Sequence, residues 1–471
     1  MQLNRRLLLA GAIGSVAAAA FLAGRRAERA DVIIIGAGLA GLNAARLLES
    51  AGARVIVLEA AQRVGGRVNT LYTAPGSPEL GAADVGALYA RVLDAADTLG
   101  LGLTPWPADL PEYWFHLHGR AFTASDWPAL DINPLVGELR SLPPPALAFR
   151  FLPRPNPLPD LGAWLNDEFK GLDVPLGQVL RSNGAPEAAM PYIEIGNQFA
   201  SIDEISALWQ LRIAKFAALS IETARASNSP IRYFINGGTS RLTDAMAASL
   251  ISPVRLGHTV AAIDNAADSI SVECSNGQHF RASSAICAVP LPVLRNITIN
   301  PALPPRAAGA VAQIPYGAAT SVVLHVKERF WEVDGMPPNI WSDLPIQRAF
   351  INPSPTGEGE HLWVFTNGPA DLSRRGWPDE ELGRFVVEEL NRVRPSTRGR
   401  VEVAGVRSFT RDPLTLGTYA SRAPGQIQRF GNVLSEPAGR LHFAGEHTAV
   451  LNSGMEAAME SGERAALAVL G

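Results

Sequence analysis

The segment from Asp31 to Arg67 constrains the fold of this chain more than any other. An apolar run, Val32 to Ile35, leads into a glycine-rich turn, Gly36 to Gly41. A helical pattern and a second apolar run ending in Glu59 follow. Glycines with this spacing form a dinucleotide-binding motif when both strands, the helix and the acidic residue are present, as they are here. The segment therefore predicts a Rossmann-like unit.

The glycines of the turn have different predicted tasks. Gly36 permits the tight turn, Gly38 lets the backbone approach a pyrophosphate, and Gly41 lets the helix pack closely on the strand. The helix N-terminus offers free N–H groups and the positive end of its dipole to phosphates. Glu59 is placed to accept hydrogen bonds from a ribose. A glycine turn without a ligand is the alternative, and the complete context argues against it.

Composition describes a well-packed globular protein. The chain has 471 residues, of which 47% are hydrophobic and 18% charged, with a net charge of −4, and it is long enough for about two to three domains. Because the charges form no long runs, no nucleic-acid partner is expected. The two cysteines, Cys274 and Cys287, lack metal-type spacing. We expect both to be free and buried, with a disulfide between them as the alternative.

The first residues have the pattern of an export signal. A basic segment with Arg5 and Arg6 precedes an apolar stretch that continues to about Ala23. The paired arginines resemble a twin-arginine signal. We therefore expect residues 1–29 to lie outside the fold and the protein to be exported to the periplasm. An uncleaved membrane anchor is the alternative, because further arginines follow the apolar stretch where cleavage would occur.

The rest of the chain alternates between strand-rich and helical or irregular regions. The patterns predict strands at Val254–Leu256, Val260–Ile263, Ile270–Cys274 and Val322–Val326, a helix at Asp379–Val393, and an irregular region from Leu101 to Pro159. Nucleotide-binding segments at the start, middle and end of the chain, with two insertions between them, predict an α/β fold. A ligand site is expected in the crevice between the two parts.

Five separated segments resemble those of one family, the flavin-containing amine oxidases, which includes monoamine, polyamine and L-amino-acid oxidases. The segments are Asp31–Thr70, Glu79–Gly86, Gly237–Leu242, Ala285–Pro304 and Arg440–Arg464. The resemblance covers nearly the whole chain after residue 30. It implies a non-covalently bound FAD and a small-molecule substrate, an amine that is oxidised to an imine by hydride transfer to flavin N5.

On this resemblance the fold is a discontinuous Rossmann-like FAD-binding domain with an inserted mixed α+β substrate domain. We assign residues 30–90, 228–310 and 402–471 to the FAD-binding domain. Residues 91–227 and 311–401 are assigned to the substrate domain.

The resemblance also implies a set of residues that contact the cofactor. Glu59 would bind the adenosine ribose, Arg67 would lie along the pyrophosphate, and Val260 would meet the adenine through its backbone. Glu446 would accept hydrogen bonds from the ribitol, with helix capping as the alternative. Met455 would place a backbone N–H where negative charge develops on the reduced ring. The full set is Gly36, Gly38, Leu39, Ala40, Gly41, Glu59, Ala60, Gly66, Arg67, Val260, Gly445, Glu446 and Met455.

The substrate side departs from the family, and we assign Tyr419 and Asp84 as its candidate catalytic residues. Tyr419 matches one wall of an aromatic cage in front of the flavin, whereas the other wall matches roughly Gly454. Asp84 stands where the family has an aromatic residue or, in L-amino-acid oxidases, an arginine. A carboxylate there would attract a cationic substrate. The alternatives are a buried structural tyrosine for Tyr419 and a solvated or ion-paired aspartate for Asp84.

Two further family residues are missing. A lysine near flavin N5 would fall at or near Ala307, and no lysine lies between Lys215 and Lys327. The covalent attachment cysteine of monoamine oxidases matches roughly Thr418. The family lysine is associated with reoxidation of the flavin by oxygen. Because this lysine is missing here, the electron acceptor is left open between oxygen and another compound. Two other functions stay open: a desaturase-like flavoenzyme acting on a C–C bond, and a flavin-binding protein that has lost catalysis.

Overall fold

The computed structural model describes residues 27–107, 112–197 and 200–471. The predicted export or anchor signal lies outside these residues except at its end. There, the expectation that residues up to 29 lie outside the fold is wrong for Glu28 and Arg29. These two residues form a short strand that pairs with Phe280 and Arg281.

Within the described residues the chain forms nineteen strands and fourteen α-helices. The strands are β1 Glu28–Arg29, β2 Val32–Ile35, β3 Val55–Leu58, β4 Val85–Gly86, β5 Leu103–Pro105, β6 Tyr113–Leu117, β7 Arg120–Thr123, β8 Arg232–Ile235, β9 Val260–Asn265, β10 Ile270–Cys274, β11 His279–Ala282, β12 Ser284–Cys287, β13 Thr298–Asn300, β14 Ala319–Val326, β15 Asn339–Ser342, β16 Arg348–Pro353, β17 Glu360–Asn367, β18 Val401–Ser408 and β19 Leu441–Phe443. The helices are α1 Leu39–Ser50, α2 Ala90–Thr98, α3 Leu147–Phe151, α4 Leu176–Ser182, α5 Met190–Gly196, α6 Ala207–Ala226, α7 Ser240–Ala248, α8 Leu291–Leu294, α9 Pro305–Gln313, α10 Phe330–Asp334, α11 Pro369–Leu372, α12 Asp379–Val393, α13 Gln426–Phe430 and α14 Gly454–Leu470.

A four-stranded parallel sheet, in the order β19, β12, β2 and β3, joins three distant parts of the chain. Val32 of β2 pairs with Val55 of β3 and with Ser284 of β12. Every residue of β2 and β3 is buried, as expected for parallel strands that are covered on both faces. The predicted α/β fold with a Rossmann-like unit built from separated segments is therefore confirmed.

Glycines set how closely α1 packs on its neighbours. A Cβ at Gly41 would lie 1.9 Å from the carbonyl oxygen of Gly36, and a Cβ at Gly462 would lie 2.2 Å from that of Ala40. Both distances are too short for any side chain. Glycine at these two positions therefore lets α1 pack against β2 on one side and α14 on the other.

A seven-stranded sheet, in the order β18, β14, β17, β16, β15, β6 and β7, is antiparallel except between β15 and β6. Because side chains alternate along a strand, β14 presents Val322 and Leu324 to a core shared with α12. The opposite face carries Trp363 and Phe365 of β17, which line the cavity described below. A five-stranded sheet, β1-β11-β10-β9-β13, and a three-stranded antiparallel sheet, β4-β8-β5, complete the fold.

The element predictions succeed where the pattern is local. The helix Asp379–Val393 and the strand around Val322–Val326 are confirmed. The predicted strand Val254–Leu256 is wrong, since Arg255 makes only an isolated bridge to Leu58. The irregular region is also wrong in part, because it contains β5, β6 and β7. Strand β6 pairs in parallel with the distant strand β15, a partner that no local pattern reveals.

The division into two domains stays a prediction. The structure differs from the predicted boundary between residues 401 and 402. Strand β18 begins at Val401, continues past this boundary and pairs with β14 in the seven-stranded sheet. Residues 402–408 thus lie in the sheet of the predicted substrate segment. In the part of the chain that the structure describes, no helix is both long and apolar enough to cross a bilayer.

Candidate functional site

A cavity of about 420 Å³ lies beyond the carboxyl ends of the parallel strands. Its wall includes the last residues of β2 and β3 and the residues that follow β12 and β19. In open α/β sheets this crevice is where ligands bind. The predicted residues that the cavity brings together are Gly36, Gly38, Leu39, Ala40, Glu59, Ala60, Gly66, Arg67, Asp84, Val260, Tyr419, Gly445, Glu446 and Met455.

The glycine turn leaves the start of α1 open to this cavity. Gly36 has a φ of +103°, a conformation that favours glycine. Gly38 is the N-cap residue of α1, and a Cβ built there would meet nothing within 4 Å. The free N–H groups of the first helical turn are therefore accessible to an anion.

Gly41 differs from the other predicted cofactor residues. It is buried inside α1 and is absent from the cavity wall. The Gly36 carbonyl oxygen occupies the space that its side chain would need. Its role is thus the helix–strand packing predicted from the motif, and its assignment to cofactor contact is corrected.

The Glu59 carboxylate is held by backbone donors at the end of β3. Its Oε2 accepts a hydrogen bond from the N–H of Ala37 at 2.7 Å, and its Oε1 accepts one from Ala61 at 2.8 Å. Burial raises the pKa of Glu59, and these backbone hydrogen bonds partly offset the effect. The carboxylate therefore has a fixed orientation at the cavity wall.

Arg67 and Glu446 form an ion pair that links two walls of the cavity. Arg67 Nη1 lies 2.9 Å from Glu446 Oε1, which also accepts a hydrogen bond from the N–H of Ala420 at 3.0 Å. Burial alone would raise the pKa of Glu446, but the lowering effects, of which the Arg67 charge is the largest, together outweigh it and the pKa falls below its usual value. The hydrogen bonds that the Glu446 side chain accepts come from Arg67 and Ala420, which both lie outside the short turn that Glu446 begins.

Two arginines that the sequence patterns did not single out also line the cavity. Arg63 donates to the carbonyl oxygens of Val68 and Gly66. Arg407 donates to Gly66 at 3.2 Å and forms an ion pair with Asp412 at 3.1 Å. Together with Arg67 they bring three guanidinium groups to this end of the cavity, where Glu59, Asp412 and Glu446 balance their charge; guanidinium groups can donate hydrogen bonds to a pyrophosphate.

At the other end of the cavity, Asp84 and Tyr419 line the wall. Asp84 Oδ2 lies 3.5 Å from Arg232 Nη1, and both side chains are partly exposed. The ion-pair alternative is thus present, but this long and solvated contact leaves the carboxylate facing the cavity. Tyr419 is 36% exposed, and its side chain lines the cavity.

Tyr89 is a cavity residue that sequence reasoning missed. It is the residue before α2, and its side chain lines the cavity. A Cβ at Gly454 would lie 2.5 Å from the Tyr89 hydroxyl oxygen. The local pattern contains no signal for this contact, because 365 positions separate the two residues. The roles of all these residues stay predictions at this point.

The expectation for Ala307 is corrected. Ala307 lies in α9, is 5% exposed and belongs to a hydrophobic core that includes Phe430, so the family lysine would not enter the cavity from this position. The prediction that the site lacks the family lysine is unaffected. Lys170, Lys215 and Lys327 are all described, and none of them lines the cavity.

The cysteines are free and buried, as predicted. Neither one belongs to the cavity wall, where Thr418 stands at the attachment position. Among the described residues no group of three histidine, cysteine or acidic side chains could hold a metal ion.

Comparison with known proteins gives consistent matches along the chain. Residues 39–470 match the model of a family described as flavin containing amine oxidoreductase. The flavin-containing amine oxidase of Danio rerio is 27% identical, with 93% of this chain and 85% of that protein aligned. Flavin-containing amine oxidase B of Homo sapiens is also 27% identical, over 94% of this chain and 86% of that protein.

Solved structures show the same fold. Cyclohexylamine oxidase from Brevibacterium oxydans IH-35A superposes with a TM-score of 0.76 at 24% identity, covering 93% of this chain and 98% of that one. Putrescine oxidase bound to putrescine superposes with a TM-score of 0.75 at 22% identity, covering 94% and 99% of the two chains.

Proposed function

Because the chain belongs to the family of flavin-containing amine oxidoreductases, we propose that its cavity holds both FAD and the amine that it oxidises. As a member of this family, the protein is an FAD-dependent enzyme acting on amines. One observation carries the proposal: a single cavity joins a nucleotide-type cradle at the carboxyl ends of parallel strands to a polar and aromatic end containing Asp84 and Tyr419.

The residues at the cradle fit FAD. Gly38 offers open backbone at a helix N-terminus, Glu59 presents an oriented carboxylate, and Arg67 presents a guanidinium group to the cavity. These groups match a pyrophosphate flanked by a ribose. The cofactor is bound non-covalently, in keeping with the position of Thr418. We expect acid precipitation of the purified enzyme to release all of the flavin into the supernatant.

When bound, FAD supplies the hydride acceptor for the C–H bond next to the amine nitrogen. The protein orients the amine, excludes water and stabilises charge. Met455 lies in the first turn of α14, whose unpaired N–H groups favour negative charge in that part of the cavity. The partly buried pair of Arg67 and Glu446 connects two walls of the cavity.

Asp84 gives the substrate end of the cavity a negative charge. We therefore propose a substrate that enters as a cation, because a carboxylate that faces a cavity attracts positive charge. Its reacting nitrogen loses a proton to solvent before the neighbouring C–H bond gives up a hydride. Replacing Asp84 with Asn keeps the shape of the side chain and removes its charge. We expect KM to rise for a charged amine, by about threefold to tenfold for the loss of a charge-assisted contact, with little change in the rate of flavin reduction at saturation. An unchanged KM would remove Asp84 from the proposal.

The reduced flavin must pass its electrons to an acceptor, which is either oxygen or another compound. Since none of the three lysines lines the cavity, we propose that oxygen restores the oxidised flavin slowly and that another compound accepts the electrons in the cell.

The signal pattern around Arg5 and Arg6 supports the proposal that the enzyme is exported to the periplasm, with attachment to the membrane as the alternative. Replacing both arginines with lysine should leave the protein in the cytoplasm, as measured by cell fractionation. Unchanged export would contradict the twin-arginine assignment.

A panel of reductants tests the proposed reaction. Under anaerobic conditions, amines should bleach the absorbance of the bound flavin, whereas apolar compounds without nitrogen should not. Bleaching by the apolar compounds alone would support the desaturase-like alternative. A flavin that no compound reduces would support loss of catalysis and overturn the proposal.

A further inference from the structure

The Tyr89 ring occupies space that two missing side chains leave empty. A Cβ at Gly86 would lie 3.2 Å from the ring atoms Cδ1 and Cε1. A Cβ at Gly454 would lie 2.5 Å from the hydroxyl oxygen and 3.4 Å from Cζ. The ring therefore extends from β4 to the first residue of α14, and its hydroxyl ends where a side chain at position 454 would begin.

Packing holds the ring in this position. Its centroid lies 6.0 Å from that of Phe216 of α6, with 46° between the planes, and Phe216 is itself 7% exposed. Burial raises the pKa of the Tyr89 phenol above its usual value, so the hydroxyl stays protonated and neutral. Tyr89 thus presents a fixed, uncharged aromatic side chain to the cavity.

Tyr89 shares one region of the cavity with Asp84 and Tyr419. The negative charge of Asp84 acts on both phenols and raises the pKa of each, second in effect only to burial. All three side chains line the cavity. Two aromatic rings and a carboxylate are the groups that recognise an organic ammonium ion.

We propose that Tyr89 is a specificity-determining residue, which forms with Tyr419 and Asp84 the binding site for the cationic group of the substrate. This inference rests on the proposed function. The ring enters from the residue before α2, and Gly454 makes room for it. Position 454 therefore affects the site by its lack of a side chain, and the half-missing aromatic wall is supplied from another part of the chain.

Binding of a cation that cannot be oxidised tests this site without turnover. The probe is tert-butylammonium, whose carbon next to nitrogen carries no hydrogen. It is titrated into the FAD-loaded enzyme and followed by the difference spectrum of the flavin. Tyr89→Ala should weaken binding by about fivefold or more, as expected for loss of a desolvated cation–π contact. Tyr89→Phe keeps the ring and should bind within about twofold of the wild type.

A matched control separates this effect from general damage. Tyr72 is 50% exposed and does not line the cavity, so Tyr72→Ala should leave probe binding unchanged. Equal binding by the wild type and Tyr89→Ala would overturn the inference, as would equal weakening by Tyr89→Phe and Tyr89→Ala. If Tyr89→Ala fails to fold, Tyr89→Leu, which keeps apolar volume without a ring, is expected to show the same loss.

Reduction of the flavin by oxidisable amines tests the proposed function separately. If amines bleach the wild-type flavin but the Tyr89 variants bind the probe normally, the inference fails and the function stands. If the probe binds through Tyr89 but no amine bleaches the flavin, the function fails and the cation site stands. A wild-type enzyme that does not bind the probe contradicts the cation site itself.

Discussion

At the scale of single residues, the Arg67 and Glu446 pair shows how this chain builds one wall of its site from distant positions. The two side chains are 22% and 12% exposed. Pairs of this kind stabilise mainly because removing one partner leaves the other without compensation in a poorly solvated place.

Glu446→Gln should therefore destabilise the enzyme by about 2 kcal/mol and weaken FAD binding, as measured by urea unfolding and flavin titration. The matched control is Asp131→Asn, which breaks an exposed pair between Arg120 and Asp131. That variant should change stability by less than about 0.5 kcal/mol. Equal effects of the two variants would contradict the role given to Arg67 and Glu446.

Glu79 provides a prediction about pH. Burial raises its pKa from 4.5 to about 7, although Thr239 and Thr70 donate hydrogen bonds to it. The folded state then binds a proton more tightly than the unfolded state, so Glu79 makes stability fall as pH rises from about 4.5 to 7. Glu79→Gln should flatten this part of the stability profile, by at most about 3 kcal/mol, in urea unfolding at several pH values. A slope that persists in the variant would assign it to other groups.

Sequence reasoning reached most of the predicted cofactor residues that line the cavity and missed Tyr89 for a physical reason. Gly38 and Glu59 belong to one short motif whose geometry follows from local spacing. Tyr89 meets Gly454 only after the chain has folded, so its position depends on tertiary packing that no local pattern encodes. Gly41 is the opposite case, because it belongs to the motif but does not line the cavity.

At the scale of elements, the contact between α1 and α14 connects stability to the cofactor site. Helix α1 begins at the open glycine turn, and Gly462 of α14 touches the Ala40 carbonyl. A displacement of α14 would therefore move the first turn of α1, where phosphates are expected to bind.

Gly462→Ala should cost about 1 to 3 kcal/mol of stability through overpacking and should weaken FAD binding, as measured by urea unfolding and flavin titration. Gly376 is the matched control, because a Cβ built there meets nothing within 4 Å. Gly376→Ala should leave both quantities nearly unchanged. Normal FAD binding in a destabilised Gly462→Ala variant would contradict the link between the contact of α1 with α14 and the cofactor site.

The pairing and packing of elements also explain which helices and strands could be predicted from the sequence. The amphipathic helix Asp379–Val393 carries its own pattern and was predicted with its observed bounds. Strands β6 and β7 fall in a proline-rich region and are stabilised by pairing with β15 and with each other. Their partners are distant in sequence, and that is why the region was predicted as irregular.

At the scale of the whole molecule, three separated segments form one parallel sheet, and the cavity lies where their carboxyl ends meet the seven-stranded sheet. The sequence predicted this discontinuous architecture because each segment has its own motif. The substrate end draws on the residues just before β4 and α2 and on the segment after β18, and its full composition required the folded chain.

The cavity as a whole also predicts how the enzyme is reoxidised. With none of the three lysines at its wall, the reduced flavin should return to the oxidised form slowly in air and quickly with an artificial electron acceptor. Stopped-flow absorbance measures both rates. Faster reoxidation by oxygen than by the acceptor would identify an oxidase that does not need the lysine.

The central claim is that this cavity oxidises an amine at the carbon next to nitrogen. It is tested most directly by mixing the enzyme anaerobically with an amine and with the same amine deuterated at that carbon, and recording the flavin absorbance. The account predicts bleaching by both compounds, slower with the deuterated amine because the broken bond is C–H. A flavin that stays oxidised with every amine, or equal bleaching rates that are limited by another bond, would contradict it.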